Sequence, residues 1–161
     1  MIDDQIKGVL LAVILLLGLV GAGQYYYSHL IQEPFSELGT LGPSIKIGDY
    51  PTQVVAGQNF TLYLYVGNHE GHVEYYEVLV KLGNASNVNI NESLPVPPLY
   101  TFGMVLVNNQ TYLQPITISI PHPGINVRLV LELWQFNTTV NAFTYTGISN
   151  QLWMNVTAPL T

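Results

Sequence analysis

The sequence contains no cysteine and very little charge. Without cysteine the chain has no disulfides, thiolate metal sites, iron–sulfur clusters or cysteine nucleophile, and a cupredoxin copper site is excluded because it needs a thiolate ligand. Lys and Arg together number four, too few to neutralise a track of nucleic-acid phosphates, so we expect no nucleic-acid partner. Because 48% of the residues are hydrophobic and only 9% are charged, a disordered acidic tail is excluded as well.

The sequence also lacks the patterns of common hydrolases. No Gly-X-Ser-X-Gly elbow is present to hold a catalytic serine. Glu74 and Glu77 alternate onto opposite faces of a predicted strand. A carboxylate pair for glycoside chemistry would therefore require the fold to bring in Glu37 or Glu132. We predict that the chain is not an enzyme and that it carries no cofactor.

A single long apolar run lies near the N-terminus. It covers the sixteen residues from Gly8 to Gly23, which as a helix extend roughly 24 Å, slightly less than the ~30 Å hydrocarbon core of a bilayer. Ile6 and the tyrosines Tyr25–Tyr27 lengthen the run, and successive tyrosines are typical of the membrane interface. We predict one membrane-spanning helix, in contact with lipid, within residues 1–33.

Two kinds of processing are alternatives to a retained anchor. Val20-Gly21-Ala22 offers the small residues that end a secretory signal peptide. Lys7-Gly8, directly before the apolar run, is similar to the processing site of archaeal pilin precursors. The acidic start, with Asp3 and Asp4, is atypical of a signal peptide, and we favour an uncleaved anchor.

Six Asn-X-Ser/Thr triplets, the acceptor pattern for N-glycosylation, all follow the apolar run. They begin at Asn59, Asn84, Asn91, Asn109, Asn137 and Asn155. N-glycosylation needs a translocated surface segment, whereas the few lysines do not decide the orientation. We predict a single-pass protein of the cell membrane, with a cytoplasmic N-terminus and an extracellular, glycosylated domain over residues 34–161.

From Phe35 onward the hydrophobic pattern has a period of two. Segments rich in β-branched and aromatic residues, separated by Gly, Asn and Pro, predict about seven strands. The predicted strands cover residues 60–66, 73–82, 101–107, 111–120, 127–136, 143–145 and 151–156. This number and spacing favour an all-β, immunoglobulin-like sandwich of two sheets.

The connections between these strands contain turn-forming residues. Gly67–Gly71 is predicted to be a hairpin connection and Asn108–Gln110 a turn. Residues 83–91 are polar, and Leu94–Leu99 contains three prolines, which excludes a central strand there. We expect these two stretches to form one long excursion on the surface.

The sharpest cluster of potential metal ligands surrounds the predicted hairpin. His69, Glu70, His72 and Glu74 carry imidazole and carboxylate groups, which suit zinc or copper. His69 and His72 are therefore candidate metal ligands. The alternative, which we favour, is a structural turn in which Asn and His side chains bond the backbone and Glu70 is solvated.

Aromatic residues on the later strands admit two interpretations. Trp134, Phe136 and Trp153 are candidates for a carbohydrate-binding face. Aromatic residues in sandwiches more often pack in the core or across strands, and we favour that role. Arg128 and Glu132 share one face of their strand, where each is placed to pair with a neighbour; as a surface pair this would contribute little stability.

The stretch from Phe35 to about Leu82 resembles a known family. The matching residues are Phe35-Ser36-Glu37-Leu38, Leu41-Gly42-Pro43, Asp49-Tyr50-Pro51, Gly57, Val66-Gly67-Asn68-His69-Glu70, Tyr76 and Val78. This pattern is similar to the archaeal domain-of-unknown-function family 1616, whose members are predicted membrane proteins. The resemblance implies an archaeal, membrane-bound, extracytoplasmic domain and no particular chemistry.

Together these observations favour a structural or accessory role at the cell surface or in a membrane complex. We expect a protein partner in the membrane or envelope, including a second copy, since Gly18 and Ala22 are spaced for close packing of another helix. One alternative is a subunit of a surface filament, assembled through the N-terminal helix or a donated strand. Another is a surface module that binds metal or carbohydrate.

Overall fold

The chain divides into two compact units, Met1–Glu33 and Pro34–Thr161, in a computed structural model that describes residues 3–28, 33–84 and 92–159. The described residues form one helix and eight strands. These are α1 (Asp4–Ser28), β1 (Phe35–Leu41), β2 (Gln53–Val55), β3 (Asn59–His69), β4 (Glu74–Gly83), β5 (Tyr100–Leu106), β6 (Thr111–Ser119), β7 (Gly124–Asn137) and β8 (Ala142–Thr157).

The first unit contains the apolar helix α1. Asp4 lies in its first turn, where a carboxylate interacts favourably with the helix dipole, and Lys7 pairs with Asp4 at 2.8 Å. The segment Asp4–Tyr27 has a mean hydropathy of 2.4 and is exposed along its length. The prediction of one apolar N-terminal helix is confirmed. Its length and composition suit a membrane span, although a signal sequence has the same properties.

The second unit is a sandwich of two sheets. One sheet has the strand order β1-β3-β6, and the other has the order β2-β8-β7-β4-β5. All neighbouring strands are antiparallel except β2 and β8. With β1, β3, β4, β6, β7 and β8 in the places of strands A, B, C, E, F and G, this is the immunoglobulin-like order. The predicted fold class is confirmed.

Alternation along the strands builds the core between the two sheets. On β3, Leu62, Leu64 and Val66 are fully buried, while Thr61, Tyr63 and Tyr65 face outward. The largest contributors from the opposite sheet are Tyr76, Val78, Val80, Leu129, Leu131 and Leu133. Burial of these side chains supplies most of the free energy that stabilises the fold.

The predicted strands omit two of the eight observed strands and divide a third one into two segments. β1 was not predicted because Phe-Ser-Glu-Leu-Gly-Thr-Leu does not alternate regularly, and β2 has only three residues. The separate segments predicted at 143–145 and 151–156 are one strand, β8. A register shift lies between them, since Tyr145 pairs with Trp134 but Ser149 pairs with Glu132, and Gly147 adopts a φ of 84° there.

The predicted hairpin at Gly67–Gly71 is wrong. β3 and β4 belong to different sheets, so the residues after His69 form an arch that crosses from one sheet to the other. Periodicity predicts both strands correctly but does not reveal which sheet each of them joins.

Candidate functional site

The arch between β3 and β4 holds the four candidate metal ligands, and it directs them to different partners. The His69 ring stacks on Phe35 at 4.6 Å, and its Nδ1 lies 3.1 Å from the Asn109 side-chain oxygen. His72 Nδ1 contacts the carboxylate of Glu74 at 2.8 Å. Within residues 3–28, 33–84 and 92–159, no three His, Asp or Glu side chains gather as a metal site would require.

Asn68 organises this end of the sandwich instead. It is fully buried, and its amide nitrogen donates 2.8 Å hydrogen bonds to the carbonyl oxygens of His72 and Leu106. Its side-chain oxygen accepts a hydrogen bond from the Glu70 N–H at 2.9 Å. One amide thereby ties the end of β3 to the arch and to the end of β5, and so joins the two sheets.

A partly buried chain of polar side chains continues from Asn68 toward β1. Ser36 Oγ donates to the Glu70 carboxylate at 2.6 Å and shares a 2.8 Å hydrogen bond with the Tyr76 hydroxyl. Burial raises the pKa of Tyr76 to about 12, although the bond to Ser36 acts in the opposite direction. The hydroxyl therefore stays protonated under ordinary conditions. Glu70 is hydrogen-bonded and half-buried, in contrast to the solvated carboxylate expected from the sequence.

A second carboxylate is held on the outer face of the three-stranded sheet. Glu37 accepts a 2.7 Å hydrogen bond from the Tyr65 hydroxyl, and His69 Nε2 lies 3.6 Å from the same oxygen. The bond to Glu37 raises the pKa of Tyr65. Gly67 makes room for this arrangement, because a Cβ there would lie 2.6 Å from the carboxylate.

A buried ion pair occupies the outer face of the five-stranded sheet. Lys81 Nζ lies 2.8 Å from Glu132 Oε2, and both residues are at most 4% exposed. Glu132 thus pairs with a neighbour, as expected, but the pair is buried and not at the surface, because Ser93 and Leu94 cover it. Ser93 Oγ lies 2.8 Å from Lys81 Nζ and from Glu132 Oε2.

The hydrogen bonds around Glu132 determine its charge state. Burial favours the neutral acid, but bonds from Lys81, the Leu94 N–H, Ser93 and Trp134 outweigh that effect and lower the pKa of Glu132. The Leu94 N–H bond is 2.6 Å long, and the Trp134 indole bond is 3.1 Å. The surrounding donors therefore favour the ionised form of Glu132.

Arg128 is buried on the same face. Its Nε donates a 2.6 Å hydrogen bond to Gln151, and its guanidinium lies 6.0 Å from the Trp153 ring centre. Like Glu132, Arg128 is therefore not at the surface. Of the three basic residues in the second unit, Lys81 and Arg128 are buried.

The aromatic candidates for a carbohydrate face are mostly engaged with one another. Trp134 packs against Tyr145 at 5.9 Å, and Phe136 meets Phe143 edge-on at 5.4 Å. Trp153 is the most exposed of the three candidates, at 41%. These are cross-strand pairs of the kind that stabilise sheets.

The structure places five of the six predicted glycosylation acceptors. Asn59, Asn84, Asn109 and Asn137 are exposed at strand ends or turns, and Asn155 is half-buried within β8; Asn91 lies outside the described residues. Asn137 and Asn155 accept backbone hydrogen bonds through the side-chain oxygen. Since a glycan is attached through the amide nitrogen, these bonds are compatible with modification.

A family model described as "Domain of unknown function (DUF1616)" matches residues 31–155. This range includes residues 35–82, which carry the sequence resemblance to the same family. No curated protein matches the chain significantly.

Several solved structures align with most of this chain at low sequence identity. The CARDB domain of a Pyrococcus furiosus protein, solved with di-metal ions, aligns with a TM-score of 0.49 and 10% identity over 80% of this chain and 98% of that one. A Listeria innocua β-glucosidase aligns with a TM-score of 0.45 and 11% identity, over 77% and 16%. The sporulation control protein Spo0M of Bacillus subtilis aligns with a TM-score of 0.43 and 10% identity, over 77% and 50%.

The Asn68 junction generates the first prediction. Asn68→Leu keeps a similar volume but leaves the His72 and Leu106 carbonyls and the Glu70 N–H without their buried partner. We expect the free energy of unfolding to fall by about 3 kcal/mol or more, measured by chemical denaturation. The control, Gln114→Leu at an exposed position on β6, should change it by less than about 0.5 kcal/mol. Equal effects of the two variants would contradict this role of Asn68.

The buried ion pair generates the second prediction. Glu132→Gln leaves Lys81 charged and uncompensated, and we expect a loss of about 3–5 kcal/mol in the free energy of unfolding. The double variant Lys81→Met, Glu132→Gln removes both charges but keeps an acceptor for Leu94, so most of the loss should be recovered. Glu77→Gln, on the same sheet face and half-exposed, is the matched control. A double variant as unstable as Glu132→Gln would contradict the pairing.

The third prediction concerns the dependence of stability on pH. The pKa of Glu132 in the folded state lies below its ordinary value of 4.5, so its stabilising contribution is complete above that pH. The contribution disappears as the pH falls through the folded pKa. In unfolding experiments from pH 7 to pH 2, the advantage of the wild type over Glu132→Gln should shrink below about pH 4. An advantage that stays constant to pH 2 would refute the assignment.

Proposed function

This chain belongs to the DUF1616 family, and we propose that it acts as a membrane-anchored, N-glycosylated, extracytoplasmic β-sandwich with a structural or accessory role. Its place would be an archaeal cell surface or a membrane complex, with the N-terminus in the cytoplasm. The resemblance of residues 35–82 to this family supports the archaeal source, whereas the residues of α1 and of the sandwich support the anchor and the accessory role.

The observation that carries the proposal is the exposed apolar surface of α1. Large aliphatic side chains such as Leu17 and Leu19 are about two-thirds exposed or more, which in water is unfavourable by ~25 cal/mol per Å² of apolar area. A lipid bilayer removes that cost. Tyr25–Tyr27, which are also exposed, would then lie at the interface with their hydroxyls in water.

The chemistry of the sandwich supports an accessory role in preference to catalysis. The carboxylates of Glu37, Glu70, Glu74 and Glu132 each have a hydrogen-bonding partner within the fold. In the described part of the chain, every buried side-chain nitrogen or oxygen has a partner. Groups that are already satisfied and locked in place stabilise a scaffold, whereas catalysis needs a group that remains available to a substrate.

The fourth prediction tests anchoring and orientation together. Intact mass spectrometry of the protein from its own membranes, before and after chemical deglycosylation, should show a chain that retains α1 and carries sugar. Asn59→Gln should remove one glycan, because Asn59 begins an acceptor triplet. Asn126→Gln, at an exposed asparagine outside any such triplet, should leave the mass of attached sugar unchanged.

Two results would overturn the proposal. A full-length chain without sugar would refute the extracellular placement of residues 34–161. A chain that begins at Val9 or Gly23 would refute the permanent anchor. A start at Val9 would favour the surface filament, and a start at Gly23 would favour a secreted domain.

A further inference from the structure

Sheet edges expose unpaired backbone groups, and side chains of this protein close the edge at β1. The Leu38 carbonyl accepts a 3.1 Å hydrogen bond from the Asn150 amide, and the Thr40 carbonyl accepts a 2.7 Å bond from the Tyr50 hydroxyl. Both carbonyls belong to an edge strand of the three-stranded sheet. With these groups occupied, β1 is not a template for another strand.

The edges at β6 and β2 are closed by other means. Pro115 lies in the middle of β6 and has no N–H to donate. The Tyr100 hydroxyl bonds both the N–H and the carbonyl of Ser119, at 3.1 and 3.3 Å. β2 has three residues, and Thr157 Oγ1 bonds the Val54 carbonyl at 3.3 Å. A strand this short offers little for pairing.

β5 forms the remaining edge, and it has none of these protections. Its sequence, Tyr-Thr-Phe-Gly-Met-Val-Leu, contains neither charge nor proline. Among residues 33–84 and 92–159, the Leu106 carbonyl is the one backbone group of β5 that bonds outside its pairing with β4. Thr101 and Gly103 are exposed, and Val105 is 61% exposed.

Gly103, at the centre of β5, has no structural requirement within the described domain. Its φ is not positive, and a Cβ would meet the Tyr75 hydroxyl at 3.4 Å, an ordinary contact. Glycine weakens a strand, and in a strand interior it often marks a bulge, a tight bend or a point where a ligand or another backbone approaches closely. Gly103 thus lies at the centre of the edge strand whose outer backbone groups are unbonded among the described residues.

We propose that β5 pairs antiparallel with β5 of a second copy of this chain, about a two-fold axis at Gly103. This register places Thr101 opposite Val105 and Phe102 opposite Met104 of the other copy, which are favourable cross-strand pairs. Because β5 carries no charge, two copies with a net charge of −6 each meet where no like charges face one another. The two five-stranded sheets become one continuous sheet.

This pairing limits the assembly to a dimer. The same strand is used on both copies, so the interface is isologous and closes on itself. It also occupies the one long edge that is open in the described residues. Strand addition would therefore not continue into a filament, and this conclusion does not depend on the proposed membrane anchor.

Disulfide trapping tests the register directly, because the natural chain has no cysteine. Directly opposite residues of an antiparallel pair are about 4.5–5.5 Å apart between Cα atoms, within the range of a disulfide. Full-length Thr101→Cys and Val105→Cys, differently tagged, mixed in detergent and mildly oxidised, should form a mixed disulfide. Thr101→Cys alone should not, since its two copies would be ~13 Å apart. Thr117→Cys, exposed on β6, is the control for random collision.

The oligomeric state provides a second measurement that does not rely on oxidation. Light scattering of the full chain in detergent should give the mass of a dimer, and Val105→Lys should convert it to a monomer. A dimer that survives Val105→Lys without the mixed disulfide would assign association to another surface and overturn the proposal. A wild-type monomer, or equal trapping at Thr117→Cys, would overturn it too.

Discussion

Exclusion of water from both faces of β7, the central strand of the five-stranded sheet, is the constraint on which the sandwich depends. β7 lies between β4 and β8, and all six of its residues from Arg128 to Leu133 are buried. One face of β7 meets the core, and the other carries Glu132, which requires Lys81 and the Ser93–Leu94 segment above it. If the Ser93–Leu94 segment were displaced, Lys81 and Glu132 would be hydrated again, but the outer face of β7 would become exposed to solvent.

The sequence predicts the strands that have one buried face, and it fails where burial depends on distant residues. Alternation around Leu62 and Leu64 requires only a period of two, and the predicted strand there is correct. The excursion at Leu94–Leu99 was expected on the surface, yet Leu94 is buried because its N–H bonds Glu132, 38 residues away. No local pattern contains that partner, so the burial of Lys81 could not be predicted either.

The candidate site shows the same limit in a different form. Residue types identified the right region, since His69, Glu70 and His72 all lie at the arch where the sheets join. Their chemistry admits a metal site, but the favoured interpretation is a structural turn with Asn and His side chains bonded to the backbone. In the structure the central position belongs to Asn68, which bonds two carbonyls from separate elements. An asparagine in a polar stretch indicates a turn. Asn68 links the two sheets because the chain crosses from one sheet to the other directly after it, and the sequence does not reveal that crossing.

Scarcity of charge also explains how the sheet edges are protected. Proteins commonly place lysine on an edge strand to prevent pairing, but this sandwich has three basic residues, of which Lys81 and Arg128 are buried. Neutral side chains therefore protect the edges instead. Asn150 and Tyr50 bond the backbone of β1, and Tyr100 bonds the backbone of β6. Each such cap needs a specific partner within reach of a carbonyl or N–H. In the described part of the chain, β5 has neither charged side chains nor side chains that bond its free backbone groups. Its edge therefore retains the capacity to pair with another strand. The open edge follows from which backbone groups the fold leaves unbonded, and the low charge alone does not explain it.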